Sequence, residues 1–574
     1  MTNEAVSMWR RVGLTALAMV AVACAQNQPA PEPAADLLIV NGRVFVADDQ
    51  GTVAQAVAVV GDRIVRVGTD QELASLRGPL TRVIDARGGT VAPGFNDSHV
   101  HFVSGGQSLS DVDLAGLTTL RQVQAAIVTF AASKPANAWV TGRGWLYSPF
   151  PGGSPTRQQL DEIVRDRPAV MTCYDGHSIW VNSVVLAMAG ITRDTPNPPN
   201  GIIVKDPKTG EPTGHLKEAA AGLVRHVMPQ PTDADRRAAL RAAVAEAHRF
   251  GITSIQNAGG SLEEMEMYEQ ARQAGELQVR AYLAFSAEAG LTDADVDRMD
   301  QAWKRFGDDP TVKTGVVKMY ADGVIESRTA AMLAPYANSA SAGAPNLPPE
   351  ELTRIVTMLD KRGWQVQIHA IGDRAIRMSL DAFEHAAATN PAPARGRRHR
   401  LEHIECIDAA DIPRFATLGV IASQQPMHVQ LGDVNQAVPA GPWPDNIGPD
   451  RASRAWAWKS IQDAGGRLSF GSDWPVAPLE VGQGLWLVAT RTKASNAADQ
   501  KLSMREALLG YTRWPAYASF EEHRKGTLAP GLLADIVVLS TDIVSQPPAT
   551  KAGVVVEMTV FNGQVVYERT PAGR

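Results

Sequence analysis

Residues 95–102 read FNDSHVHF, with His99 and His101 one residue apart. In an extended chain, residues i and i+2 project from one face, so the two imidazoles converge on a single point. A shared metal ion is the guest such a pair suits. The preceding GGTVAPG is small, apolar and closed by a Pro-Gly turn signal. An isolated H-x-H also occurs in surface loops, so the remaining ligands decide the matter. Candidates stand near the ends of other apolar runs: Lys318 in GVVKMYADG, His369 in WQVQIHAIGD, His403 in HRLEHIE and Asp473 in GRLSFGSDWP. His428 closes the run GVIASQQPMHV, and His177 lies in DGHSIW.

These runs alternate with helical patterns such as DADRRAALRAAVAEAHRF and LTRIVTMLDKRG. Alternation of this kind argues for a parallel α/β fold. In a (β/α)8 barrel the carboxyl ends of the strands form the active-site rim, and each βα unit takes about 31 residues. His369 and His403 are 34 residues apart, one unit. His403 and Asp473 are 70 apart, two units, with VIASQQPMHV as the skipped strand. Lys318 and His369 are 51 apart, one unit plus a Pro/Ala/Ser-rich loop at 334–349. His101 and Lys318 are 217 apart. Three units need only about 93, so an insertion of roughly 120 residues follows strand 1. The six residues then fall on strands 1, 4, 5, 6 and 8 of a TIM-like α/β barrel.

Outside the barrel, residues 37–92 read as short strands with turns: LLIVNGRVFV, AVAVVGDRIVRVG and RVIDARGGTVAP. GTLAPGLLADIVVLS and VVEMTVFNGQVVYER near the other end share that texture. Valine and isoleucine dominate, and Gly-Asp and Asn-Gly turns punctuate. The expectation is one small β-sandwich built from both termini, over 36–92 and 520–570. The barrel takes 93–519, with an α/β insertion at about 137–225.

With 574 residues and 44% hydrophobic content the chain can bury a large core in more than one domain. A net charge of −6 gives no electrostatic case for nucleic acid. The start, MWRRVGLTALAMVAVAC, has two arginines, an apolar stretch from Gly13 to Ala23 and small residues before Cys24. That is the layout of a signal peptide over 1–24, too short for a membrane-spanning helix of about 20 apolar residues. AVAC resembles a bacterial lipobox, with Ala21 where leucine is usual. Lipidation of Cys24 would leave residues 25–35 as a Pro-rich tether and the protein exported to the periplasm, anchored to the outer membrane through lipid only. Ala25 after the cysteine fits that sorting. Cys173 and Cys406 remain; they can pair in an oxidising compartment, but nothing requires it.

The order H-x-H, Lys, His, His, Asp on those strands resembles the amidohydrolase superfamily. VKMYADGVIESRTAAM, QIHAIGDRAI, EHIE, SQQPMH and GSDWPV are similar to its amidohydrolase-3 group, which includes YtcJ-like proteins and N-substituted formamide deformylases. The insert stretch RPAVMTCYDGHSIWVNSVVLAMAGI and the flanking strands resemble it too, so the likeness spans almost the whole mature chain. The resemblance implies two divalent metals, zinc by default. His99, His101 and Asp473 would hold one, His369 and His403 the other, and Lys318 would bridge them as a carbamate. An ammonium is donor-only and cannot ligate a cation, whereas a neutral amine that has taken up CO2 becomes an anionic oxygen ligand. Such a pair activates water for attack on a carbonyl carbon, with Asp473 as general base and then general acid. The expected reaction is hydrolysis of a C–N bond in a small amide, formamide or cyclic amide.

His177, Asp322 and Arg328 are candidates for touching substrate, the last two on the loop after Lys318 in ADGVIESR. For each, a local structural role weighs equally. Trp139, Trp145 and Trp180 offer either a binding wall or the insert's core. Two other readings stand beside the hydrolase. A deaminase of the same superfamily generally resembles H-A-x-x-E on strand 5 and lacks the strand-4 lysine, whereas this chain has HAIGDRA and Lys318. A non-catalytic ligand-binding lipoprotein is the third, but all six ligands are present.

Overall fold

The computed structural model describes residues 33–306, 308–431, 442–491, 499–550 and 553–570. The expected signal peptide, Cys24 and most of the tether lie outside the described residues. Its centre is an eight-stranded, all-parallel sheet: Phe95–Val100, Ile252–Asn257, Arg280–Ser286, Val312–Tyr320, Gln365–Ala370, Arg400–His403, Ile421–Gln424 and Arg467–Phe470. These are barrel strands 1 to 8. Strand 8 meets strand 1 just beyond its end, where the Asp473 amide donates to His99 O at 2.7 Å and the His101 amide to Trp474 O at 2.8 Å. The fold is therefore a TIM-like (β/α)8 barrel. Strands 1, 2, 5, 6 and 7 are buried along their whole length, and helices such as Asp233–Arg249, Pro349–Lys361 and Asp373–Thr389 cover the outside.

Two sheets form the sandwich. One joins Leu37–Val40, Ala56–Val60, Arg63–Gly68 and Arg82–Asp85; the other mixes Arg43–Phe45, Val53–Ala54 and Thr90–Pro93 with Ile536–Leu539, Val556–Phe561 and Gln564–Glu568. Residues of both termini, Ile39, Val59, Val91, Ile536 and Val560 among them, share one apolar core. Only Gly94 separates the sandwich strand Thr90–Pro93 from barrel strand 1. A Cβ there would lie 2.2 Å from Thr253 Oγ1 of strand 2, so the close approach requires glycine.

Between strands 1 and 2 sits the insertion, a six-stranded sheet ordered 201–205, 212–218, 178–181, 169–173, 140–145, 112–113. It begins at Val112, upstream of the expected boundary near 137, because a two-residue edge strand carries no readable alternation. Trp145 and Trp180 are fully buried and flank Phe150, with ring centroids 5.5 and 5.1 Å from it; they build the insert's core rather than a binding wall. Cys173 and Cys406 are buried and unpaired. Among the described residues no helix is long and apolar enough to cross a membrane.

Candidate metal centre

The ends of barrel strands 1, 4, 5, 6 and 8 bring six side chains to one place. His99 Nε2 and His101 Nε2 lie 3.5 and 3.3 Å from Asp473 Oδ1. Lys318 Nζ is 3.4 Å from His99 Nε2, and the His403 ring stands 4.8 Å from that of His99 and 4.5 Å from that of His369. All but His101 are buried, and Lys318 is 0% exposed. His403 and Asp473 take positive φ, 74° and 60°, a strained backbone of the kind found where side chains are re-aimed at a site. Asp97 ties the two ends of the barrel together: its Oδ1 accepts from the Ser472 amide at 2.9 Å and the His99 amide at 3.1 Å.

Hydrogen bonds choose which nitrogen each imidazole presents. His99 Nδ1 lies 2.5 Å from Glu402 Oε2, an acceptor, so Nδ1 carries the proton and Nε2 is bare. His369 Nε2 lies 3.0 Å from the Gly323 carbonyl and must donate to it, leaving Nδ1 bare. His403 Nδ1 faces Gln425 Oε1 at 2.9 Å, leaving Nε2 bare. Such partners fix tautomer and ring orientation in metal sites.

The electrostatics agree. Burial, helped by Lys318, brings His99 down to about 4 against the pull of Glu402. Burial likewise holds His369 and His403 well below the ordinary histidine range, so all three are neutral near pH 7. Burial pushes Lys318 down to about 8. Burial opposes ionisation of Asp473, yet the neighbouring His99, His101 and His403 outweigh it and keep the carboxyl well below its usual range. The result is several bare lone pairs and a carboxylate around one centre. Asp473 Oδ1 is buried with no hydrogen-bond partner although two histidine nitrogens approach it, which is the signature of donor atoms waiting for a cation. The residues fit a metal.

The structure also brings His428, the candidate that closes the strand-7 run, to the centre, and places behind the ligands Glu402 and Arg400, which the sequence reading did not single out. His428 Nε2 is 3.5 Å from Asp473 Oδ2, and its ring stacks on His403 at 5.7 Å, so His403, His428 and Asp473 form a second set of converging donors. Behind His99, Glu402 is braced by Arg400, whose Nε is 2.9 Å from Glu402 Oε1 and whose Nη2 donates to Ser423 Oγ at 2.9 Å. Period-two alternation in RLEH puts Arg400 and Glu402 on one face, and that face is the barrel interior. Burial opposes the Glu402 charge, but Arg400 and His99 hold its carboxyl down to about 2.

His177 reaches the rim from the insert. It lines the cavity above the centre, its ring 5.6 Å from that of His369, and Nδ1 is 2.8 Å from Glu218 Oε2. Glu218, at φ 50°, is held by Thr329 Oγ1 at 2.5 Å. The other two substrate-contact candidates have different partners. Asp322 accepts from the amides of Ala331, Ile371 and Gly372 and shapes the loops beside His369. Arg328 is exposed and donates to Asn446 Oδ1 at 2.9 Å. Neither lines the cavity. Both belong to a loop whose path the sequence pattern does not specify.

Comparison with known proteins sets this geometry among relatives. The model of the amidohydrolase family matches residues 82–567. YtcJ of Bacillus subtilis strain 168 is 32% identical over 549 residues, covering 92% of this chain and 99% of that protein. An N-substituted formamide deformylase of Arthrobacter pascens is 28% identical over 547 residues, 93% of this chain and 99% of that one. Among solved structures, an uncharacterized metal-dependent hydrolase from Pyrococcus horikoshii has the same fold, with a TM-score of 0.68 at 23% identity over 90% of this chain and 99% of that one.

Proposed function

This chain belongs to the amidohydrolase family, and from that premise we propose that it hydrolyses the carbon–nitrogen bond of a small amide, formamide or cyclic amide. The observation that carries the reading is the convergence of bare histidine nitrogens, a buried lysine and an unpartnered carboxylate oxygen on one cavity. His99, His101 and Asp473 would hold one divalent ion and His369 and His403 a second. Lys318, as a carbamate, would join them; its buried Nζ has no carboxylate within ion-pair distance among the described residues, so a conventional salt bridge does not explain it. Histidine and carboxylate donors suit zinc. When bound, the ions supply Lewis acidity that acidifies a water and polarises a carbonyl oxygen.

This chain's own groups do the rest. Asp473 accepts the proton of the attacking water and returns it to the leaving nitrogen. His428 stands beside that carboxylate, its Nε2 3.5 Å from Asp473 Oδ2. His177, oriented by Glu218, contacts the substrate from the insert side. The cavity, about 540 Å³, suits a small molecule. The name of the Arthrobacter relative puts N-substituted formamides first among substrates to try. The test is release of amine or carboxylate from a panel of N-formyl, N-acyl and cyclic amides by zinc-loaded protein. Asp473→Asn should lose at least about 100-fold in kcat; full turnover by that variant would reject the assignment.

We further propose export and lipid anchoring at Cys24, on the strength of the apolar run ending in AVAC. Labelled palmitate should enter the parent protein and not Cys24→Ala; equal labelling of the two would refute anchoring at Cys24.

A further inference from the structure

Arg143 stands on the insert strand Val140–Trp145 and faces the cavity wall. Its Nε donates to Pro475 O at 2.9 Å and its Nη2 to Tyr174 O at 3.1 Å. Both acceptors are neutral carbonyls. Nη1 has no hydrogen-bond partner among the described residues, and no carboxylate there lies within ion-pair distance; Asp473 and Asp175 act on it only from farther off. A half-buried guanidinium without an anion is poorly compensated, and its planar fork matches a carboxylate. Arg225, on the same cavity, also lacks an ion pair among the described residues.

The cavity's carboxylates are in the opposite condition. Asp175 accepts from Tyr147 Oη at 2.7 Å and the His177 amide at 2.8 Å, Glu326 from Tyr174 Oη at 2.6 Å, and Glu405 from Trp443 Nε1 at 2.8 Å. Glu218 is taken by His177 and Thr329. Apart from Asp473, whose bare Oδ1 belongs to the metal centre, an incoming cation finds donors already in place on these acids, whereas an incoming anion finds an unmatched guanidinium.

Position then says which half of the substrate bears the anion. Arg143 is bonded to Pro475, two residues past Asp473, the group that returns a proton to the leaving nitrogen. We propose that Arg143 binds a carboxylate on the amine half of the substrate, so that the physiological class is N-formyl or N-acyl amino acids. This rests on the reading of the site as an amide hydrolase. The reaction balances as RCO–NH–CHR′–COO⁻ plus water giving RCOO⁻ and the zwitterionic amino acid. The C–N bond breaks, a C–O bond forms, and the water proton passes through Asp473 to nitrogen, which also takes the acid proton of the new carboxyl group.

The experiment pairs N-formyl-leucine with N-formyl-3-methylbutylamine, its decarboxylated counterpart, and with N-formyl-leucinamide, neutral and nearly isosteric. Zinc-loaded protein should show kcat/KM higher for the carboxylate by on the order of 10–100-fold, and calorimetric Kd values should differ by a similar factor. Arg143→Gln should shrink both ratios toward one, mainly through KM, and Arg143→Lys should keep part of the preference. Equal kcat/KM and Kd for the three compounds on the parent protein would overturn the assignment without recourse to any variant. Preferential binding of N-formyl-leucine with no turnover of any amide would sink the hydrolase reading and leave the carboxylate site standing. Turnover without preference would do the reverse.

Discussion

Lys318 is the residue on which the proposed chemistry turns. Its Nζ lies 3.4 Å from His99 Nε2 in full burial, and the proposed carbamate would turn it into an anionic ligand. Lys318→Ala should lose activity and bound metal, and short-chain carboxylates should restore part of both; full activity without them would rule out the carbamate. Glu402 works one bond further back. It sets the His99 tautomer and makes the ring a better donor, and such outer partners contribute about 10–100-fold to metal affinity. Glu402→Gln keeps the shape and removes the charge. Chelator competition should show zinc held about 10–100-fold more weakly, with far-UV circular dichroism unchanged; unaltered affinity would make Glu402 a mere filler of the barrel floor.

Among elements, the helix Phe102–Ser108 couples the H-x-H strand to strand 8. A Cβ on Gly105 would sit 2.1 Å from Trp474 Cε3, directly after Asp473. Gly105→Val should displace that indole, cost about 1–3 kcal/mol of stability and depress kcat by moving Asp473; a parent-like melting curve and kcat would show the contact to be slack. A second coupling joins the helix Pro349–Lys361 to the entry of strand 6. Asp360 accepts from Arg397 Nε at 2.7 Å and from His399 Nε2 at 3.0 Å, while His399 Nδ1 accepts from the Val366 amide at 3.1 Å. Burial lowers the His399 pKa, so its neutral form is the folded form, and stability falls as pH drops below the unfolded histidine value of about 6.5. Burial opposes the Asp360 charge, yet hydrogen bonds from His399, Arg397 and Asn390 hold its carboxyl well below its usual range. Its contribution is complete above about pH 4 and is lost as pH falls through the lower folded value. Urea midpoints from pH 7 down to about pH 2 should therefore decline in two windows, and Asp360→Asn should flatten the lower one. An identical slope below pH 4 in parent and variant would remove Asp360 from the account.

At the scale of the molecule, the sandwich is held to the barrel by a buried ion pair. Arg280, opening strand 3, bonds Asp535 through Nε at 2.5 Å and Nη2 at 2.8 Å, with exposures of 2% and 4%. Removing one partner of such a pair leaves a stranded charge and costs about 3–5 kcal/mol. Asp535→Asn should raise hydrogen exchange in Ile536–Leu539 and Thr90–Pro93 well before the barrel strands respond. Uniform protection would mean that the apolar core shared by both termini suffices.

The barrel and the types of side chain gathered at its rim were legible in the linear chain because both depend on local rules. Period-two alternation aims His99 and His101 together, and the spacing of about one βα unit between His369 and His403 follows from the length of a strand, a helix and two turns. His177, Asp322 and Arg328 could be singled out by type but not placed, since loop paths obey no such period. What closure of the barrel decided was which distant groups meet. Glu402 is 303 residues from His99 and Arg143 is 332 from Pro475, and nothing in either segment names the other. Hydrogen bonds across such separations follow from three-dimensional packing alone, and here they select the nitrogen each ring presents and leave the Arg143 guanidinium without an anion among the described residues.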